Sequence, residues 1–530
     1  MSTAHDTAAT VQSTGRPTHD VPRRRGESLA VLAGFTVVYA AVGHWLVSEQ
    51  QVVGFETLDR WFRALTVWHD GPAALASVGV DYPPLSVLAL TPLTLVAGPA
   101  ASLALVPLGS AVFAGATMAA LNTLLRRALL GLPARAAVLV ALGLNPLVVL
   151  HAATGGRPFV WLALAVTALG CVVAWYVTAD VRFVVLAGLA FGVAALAGYG
   201  SLLWLAVATV MLAAVLARLG ASAREVEGTL VGLASPAAYA VALWTALNLV
   251  VLLRPFAWVG DGHDLGGTAG APVAPASRSL HDLALDTGSL LLHGAPLALV
   301  VLPALVYVGV ARRNPLALWL GVLLLVVGLA PAAGAALRLG PSPFAMQAAL
   351  PVLLVAVVGA AWLARSAGDA RHRVAALLVV GLLASVPWTF RALPDYPYQG
   401  LERPFHDALT TGESQEGALT VDGAVVGYVD ERDMADAVLD RVTDGDVVLT
   451  DPGQTFAVVL LTGRPALFAD AARAGDDDPP ADYLLLSRDT ARDRLAARLP
   501  DAASGLDPRL PVVHANDRYV LLELPDGTTP

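Results

Sequence analysis

The sequence predicts a polytopic α-helical membrane protein with about 11 transmembrane helices and a small C-terminal α/β domain outside the membrane. Three observations predict it. The 530 residues are 56% hydrophobic and only 14% charged, with a mean hydropathy of +0.65. Apolar runs of about twenty residues, the length that crosses a hydrocarbon core, recur along most of the chain. The charge is also divided: from Arg391 onward there are 26 acids against 12 arginines, a net −14, whereas the preceding part carries 16 acids against 21 arginines, a net +5.

Taken in order, residues 1–28 are polar and predicted to be a disordered cytoplasmic terminus. The run 29–47 follows "PRRRGES"; it is long, lacks a small-residue cleavage site and precedes many further spans, so it reads as a retained first helix and not a signal peptide. Residues 29–390 form the transmembrane domain. Its further spans are expected near 101–125, 136–150, 158–178, 183–200, 202–217, 229–252, 289–311, 316–334, 345–364 and 374–390. With the N-terminus inside, alternation places Arg126, Arg127, Arg135, Arg182, Arg218, Arg224, Arg312, Arg313, Arg365, Arg371 and Arg373 in the cytoplasm, a positive-inside bias. This holds only if 84–98 does not cross. In "DYPPLSVLALTPL", Pro83 and Pro84 stop one helix and start another, and Pro92 interrupts the apolar run, so the segment is expected to dip into the outer face.

The outer loop 48–100 also contains "FETLDRWFRALTVWHDG". Phe55, Leu58, Phe62 and Leu65 fall at helical spacing, with Glu56, Arg60 and Arg63 elsewhere, so an amphipathic helix lying on the outer leaflet is predicted. A second long outer loop spans 253–288. Residues 391–530 alternate helix-like and strand-like segments. "DMADAVLDRV" and "DTARDRLAARL" read as helices, and "VVLT", "DYLLLS" and "YVLLEL" as strands, predicting an independently folded extracytoplasmic α/β cap. The single cysteine, Cys171, excludes an intrachain disulfide. The acidic tail disfavours nucleic acid as a partner.

The first span, the loop helix, "YPPL" at Tyr82–Leu85, "LGLNPLVVLHAATGGRPFVWLAL" and the tail together resemble the GT-C superfamily of membrane glycosyltransferases, including its protein O-mannosyltransferase-like and polyprenyl-phosphomannose-using members. The resemblance implies a cell-envelope enzyme in which an acceptor hydroxyl attacks the sugar of a polyprenyl-phosphate donor at the outer membrane face. The acceptor would be a glycan, lipid or protein. Two departures are plain. The second outer loop, "HAATGGRPF", has no carboxylate where many relatives carry one, and "LAGYGSLL" keeps Tyr199 but has no lysine.

Such a transfer needs a carboxylate to take the hydroxyl proton and a cation to hold the leaving phosphate. Asp59 is the candidate base and Glu56, about one turn earlier, the runner-up; both also fit ordinary i,i+4 pairs with Arg63 and Arg60. Asp81 suits a turn acid that orients the loop or acceptor, and Tyr82 packing beside it. Arg157 and Arg338 are the candidate phosphate cations, with Arg254 a weaker third, and Tyr199 stands where the resemblance places donor contacts. His151 suits an interfacial hydrogen bonder. "GDGHDLGG" gathers Asp261, His263 and Asp264, but among glycines it reads as a solvated loop; a divalent metal is allowed and not required. Two other classes compete. A transporter would need paired interrupted spans or intramembrane charges, which are hardly visible. A non-catalytic scaffold would fit the absent second-loop acid.

Overall fold

The structure, a computed structural model, describes residues 25–69, 75–79, 82–256, 279–337, 343–420, 425–471 and 481–525. Of the disordered terminus expected over residues 1–28, residues 1–24 lie outside the described residues, and 25–28 are instead the first turn of a helix. The first helix starts at Arg25 and continues through a π-helical turn to Glu49.

Among the described residues, eight helices are long and apolar enough to cross a membrane, or ten if two bent pairs each count as a span. Arg182–Ala195, an eleventh expected span, has 14 residues. Both bends have local causes. Leu132–Gly143 and Pro146–Ala153 meet at 72°, because Asn145 leaves the helical region, accepts a hydrogen bond from the Leu147 amide and is followed by proline at the first helical position. The expected span 289–311 is broken more sharply. Leu280–Gly294 and Pro296–Ala311 meet at 103°, since Ala295 is non-helical and Pro296 cannot continue the preceding ladder.

The bundle has two unlike ends. At one, Arg365 donates to the Arg127 carbonyl, Arg371 to the Leu129 carbonyl at 3.1 Å, and Arg312 to the Ser366 carbonyl at 2.8 Å. The other end carries the loop helix and the C-terminal domain. The helix Val106–Arg127 joins the two ends; at 22 residues it spans about 33 Å.

The double-proline segment does not cross. It forms two short turns of helix, Pro84–Leu88 and Thr91–Leu93, then Ala97–Ala101. Pro84 occupies the first helical turn, and the Leu85 amide donates to the Leu196 carbonyl at 2.8 Å. The loop helix runs from Phe55 to His69, but its apolar face is not left for lipid. Phe55 and Phe62 pack on Phe456 of the C-terminal domain, with ring centroids 4.6 and 6.2 Å apart. Leu58, Trp61 and Leu65 are buried in the same core. Four hydrogen bonds fasten the double-proline segment to this helix: Trp61 to Ala100 at 3.0 Å, Trp68 to Thr91 at 2.9 Å, His69 to Thr94 at 3.1 Å and Thr94 to Ala64 at 2.9 Å.

The C-terminal domain is an α/β fold with a five-stranded sheet: β1 Val448–Thr450, β2 Phe468–Asp470, β3 Tyr483–Ser487, β4 Val512–Ala515 and β5 Tyr519–Glu523. The order is β2-β1-β3-β5-β4, parallel on either side of β1 and antiparallel from β3 through β5 to β4. The expected helix over "DTARDRLAARL" is shorter, Arg494–Arg498, because Asp493 caps it by accepting from the amides of Leu495 and Ala496. The domain is also less self-contained than the sequence suggests. Leu449, Leu484, Leu486, Val520 and Leu522 form a core of their own. Phe456, Leu460, Leu485 and Leu521 instead share one core with the loop helix and the double-proline segment.

Candidate active site

Helical spacing places Glu56 with Arg60 and Asp59 with Arg63 on adjacent turns of the loop helix. Arg63 donates through Nε to both Asp59 oxygens, at 3.2 and 3.1 Å, and its guanidinium lies 5.7 Å over the Tyr82 ring. Tyr82 is buried. The Asp59 side chain is 11% exposed and is held by Arg63, whose guanidinium in turn rests on Tyr82.

One turn earlier, Glu56 gathers two arginines. Its Oε1 lies 3.0 Å from Arg157 Nε and 3.7 Å from Arg60 Nε. Arg60 is 1% exposed, and its Nη2 donates to the Gly155 carbonyl at 2.7 Å. The "TGGRP" turn makes this approach possible. Gly155 has φ +76, and a Cβ there would stand 2.7 Å from both Thr57 Cγ2 and Val106 Cγ1. A Cβ at Gly156 would meet the His151 carbonyl at 3.0 Å and its Nδ1 at 3.2 Å. The turn ends with Arg157 as the N-cap of the span Pro158–Thr178, aimed at Glu56. Three enclosed polar atoms around this point make no aligned hydrogen bond among the described residues: Glu56 Oε1 and Arg60 Nε, which are held only as ion-pair partners, and His151 Nε2.

The charges shift both outer groups. Burial pushes Glu56 up, but Arg157, Arg60 and His151 together outweigh it and hold the carboxyl below its ordinary range. Burial, reinforced by Asp59 and Glu56, pushes the Tyr82 phenol well above its usual value, so Tyr82 is a neutral packing and hydrogen-bonding group.

The structure therefore brings together Glu56, Asp59, Tyr82 and Arg157 of the residues expected from the sequence. Tyr199 caps the helix Gly200–Arg218 within electrostatic reach of Arg157 and beside Trp244. Asp81, Arg338 and the Asp261–His263–Asp264 cluster lie outside the described residues. Arg254 is exposed at the end of its helix, and Arg464 pairs with Asp444 in the C-terminal domain. Among the described residues no group of three His, Cys, Asp or Glu is placed to hold a metal ion. Sequence reasoning treated Arg60 as a pair partner alone. The i+4 spacing from Glu56 was visible, but its burial comes from the Gly155 turn, 95 residues away in sequence.

A helical bundle with a charged loop helix at one face, a double-proline segment folded back beside it and a small terminal α/β domain is the GT-C fold. The chain has that fold over nearly its whole length. It superposes on the crystal structure of ArnT from Cupriavidus metallidurans bound to undecaprenyl phosphate with a TM-score of 0.52, at 16% identity, covering 93% of this chain and 99% of that one. It is similarly like the same enzyme in the apo state, with a TM-score of 0.50 and 16% identity over 92% of this chain and 98% of that one. An Archaeoglobus fulgidus oligosaccharyltransferase tethered to an acceptor peptide aligns at a TM-score of 0.47 and 11% identity, over 88% of this chain and 70% of that one, a likeness too slight to build on. No family model and no curated protein matches the sequence.

Proposed function

We propose that this protein is an inverting membrane glycosyltransferase that moves a sugar, a hexose in our reading, from a polyprenyl-phosphate donor to a hydroxyl of a cell-envelope acceptor. The observation that carries the reading is the convergence of two carboxylates and three arginines on one side of the loop helix. The GT-C fold and the undecaprenyl phosphate bound by ArnT make a lipid-phosphate donor the natural ligand for the arginines.

In this reading the acceptor oxygen attacks the anomeric carbon, the bond from that carbon to the donor phosphate oxygen breaks, and the acceptor proton passes to the Asp59 carboxylate. Arg157 takes the negative charge that builds on the leaving polyprenyl phosphate, bidentately where the geometry allows. Arg63 and Tyr82 keep the Asp59 oxygens oriented. Asp59 is preferred over Glu56 because Glu56 faces two arginines and is held below its ordinary range, which weakens it as a base. Glu56 then serves as the counter-ion of Arg157 until the donor phosphate arrives. The reaction face is extracytoplasmic, with the N-terminus inside, a reading that the positive-inside bias of the arginines supports.

The test is transfer of radiolabelled sugar from a panel of polyprenyl-phosphate sugars by the purified full chain in lipid nanodiscs. Transfer by wild type and its loss in Asp59→Asn support the reading. Transfer unaffected by Asp59→Asn but abolished by Glu56→Gln would move the base to Glu56. No transfer with any donor of the panel would overturn the assignment.

A further inference from the structure

A cavity of about 320 Å³ has His293, Trp388, Arg391, Asp395 and Tyr396 in its lining. It forms where the helix Leu280–Gly294 breaks off and the span Arg371–Ala392 ends. That span starts at the arginine-rich end, where Arg371 bonds to Leu129. It therefore finishes at the end that carries the loop helix, and Leu401, soon after it, packs on Gly54. The walls are fixed by bonds of their own. Trp388 Nε1 donates to the Leu292 carbonyl and Thr389 to the His293 carbonyl, each at 2.8 Å, which ties the two helix ends together. Tyr396 donates its hydroxyl to the Phe344 carbonyl at 2.8 Å and meets the His293 ring with centroids 6.3 Å apart.

Two lining groups of opposite charge are left unused by these bonds. Arg391 and Asp395 are both exposed, and neither forms an ion pair or hydrogen bond among the described residues, with the other or with anything else. Both can therefore meet a ligand that enters. Asp286 and Glu402 lie within electrostatic reach of Tyr396, so the acidic side of the cavity is more than Asp395 alone. The cavity also adjoins a lipid-facing surface. On the span, Leu377, Val380, Ala384 and Trp388 are exposed at steps of three and four residues, and Arg391 continues that stripe. Exposed apolar side chains along a spanning helix face acyl chains, and a Trp followed by an Arg at its end marks the level of the head groups. Leu292, whose carbonyl holds Trp388, is exposed as well.

We propose that this cavity binds the head group of a membrane phospholipid that carries both a phosphate and an ammonium. The Arg391 guanidinium matches phosphate oxygens. Asp395 takes the ammonium, and aromatic rings such as those of Trp388 and Tyr396 attract the same cation. The volume is at the small end for a ligand cavity, which suits a head group whose acyl chains run outside, along the stripe from Trp388 to Leu377. A head group with phosphate alone would meet Arg391 but also the like charge of Asp395. That disfavours anionic phospholipids here, and equally the polyprenyl phosphate proposed as donor. The site uses none of the residues of the Asp59–Arg157 cluster and stands without the proposed transfer.

The experiment is native mass spectrometry of the purified full chain in detergent, titrated with phosphatidylethanolamine or with phosphatidylglycerol of the same acyl chains. Wild type is expected to retain phosphatidylethanolamine about fivefold better, the size of one partly exposed ion pair. Asp395→Asn should lose that preference. Arg391→Gln should weaken retention of both lipids by roughly two- to fivefold. Both side chains are exposed and unbonded, so both variants should unfold at the wild-type temperature. Arg218→Gln, at an exposed arginine outside the cavity, should match wild type. Equal retention of the two lipids by wild type, or an undiminished preference in Asp395→Asn, overturns the proposal. Displacement of phosphatidylethanolamine by equimolar undecaprenyl phosphate would overturn it too, giving the cavity to the donor. Should either variant lower the unfolding temperature, the wild-type comparison of the two lipids decides.

Discussion

Asp59 and Glu56 are both carboxylates of one helix face, each matched to an arginine four residues later, and their surroundings give them different work. Asp59 meets one guanidinium in a symmetric pair, and that guanidinium lies over a neutral tyrosine. Removing a general base costs about 10²–10⁴-fold in rate, so Asp59→Asn should lower kcat by that amount with KM nearly unchanged, in steady-state transfer assays over a donor series. Glu56 occupies Arg157 Nε at 3.0 Å, the place proposed for the donor phosphate. Glu56→Gln should therefore tighten donor binding by roughly two- to fivefold, the size of a partly exposed ion pair, as read by titration with polyprenyl phosphate. The pH behaviour follows from the same pair. A carboxyl held below its ordinary value stabilises the fold above the unfolded glutamate pKa and loses that contribution only as pH falls through the lowered folded value. Across about pH 5–8 the Glu56 pair should thus add no slope to thermal stability; wild type and Glu56→Gln should show parallel Tm–pH curves there, diverging only in acid.

At the scale of elements, the site depends on two turns that a side-chain inventory undervalues. Gly155 sits at φ +76 with no room for a Cβ, and its carbonyl holds the buried Arg60. Gly155→Ala must shift Thr57 or Val106 and displace that carbonyl. We expect a loss of about 1–2 kcal/mol in stability and at least tenfold in turnover, since misplacing reacting groups by about 1 Å costs about 100-fold; chemical denaturation and kinetics on the same preparation would separate the two. The double-proline segment is the other turn. Pro83→Ala with Pro84→Ala should lower turnover while membrane insertion is retained, less severely than Asp59→Asn. The element pattern explains what was legible. The 3.6-residue spacing in "FETLDRWFRALTVWHDG" marked the loop helix, and Pro83, Pro84 and Pro92 marked a segment that does not cross, because periodicity and proline act locally. What covers the helix was not legible. Phe55 and Phe62 read as lipid-facing, and only the fold shows that Phe456, nearly 400 residues later, takes that role. The broken span 280–311 was missed for a related reason: Gly294 and Pro296 lie inside a run apolar enough to hide the break.

For the whole molecule, the shared core changes what the C-terminal domain is expected to do. A cap that folded alone could be removed with modest effect on chemistry. Here its removal strips the loop helix of Phe456 and its neighbours, so truncation near residue 400 should abolish transfer through loss of the helix that carries Asp59. Phe456→Ala, a smaller lesion of the same interface, should cost about 3–5 kcal/mol, measurable as a lowered unfolding midpoint. The same architecture makes the topology testable in one assay. The arginines bonded at one end, Arg127, Arg312, Arg365 and Arg371, stand opposite the C-terminal domain, so we expect the two ends to face different compartments. Arginine-rich ends stay in the cytoplasm because translocating them is disfavoured. In a Cys171→Ser background, Asp446→Cys should react with a membrane-impermeant maleimide on intact cells, and Arg224→Cys only after permeabilisation. The reverse pattern would turn the Asp59–Arg157 cluster toward the cytoplasm and remove the basis for a transfer reaction at the outer face, while the fold and the pairing within the cluster would stand.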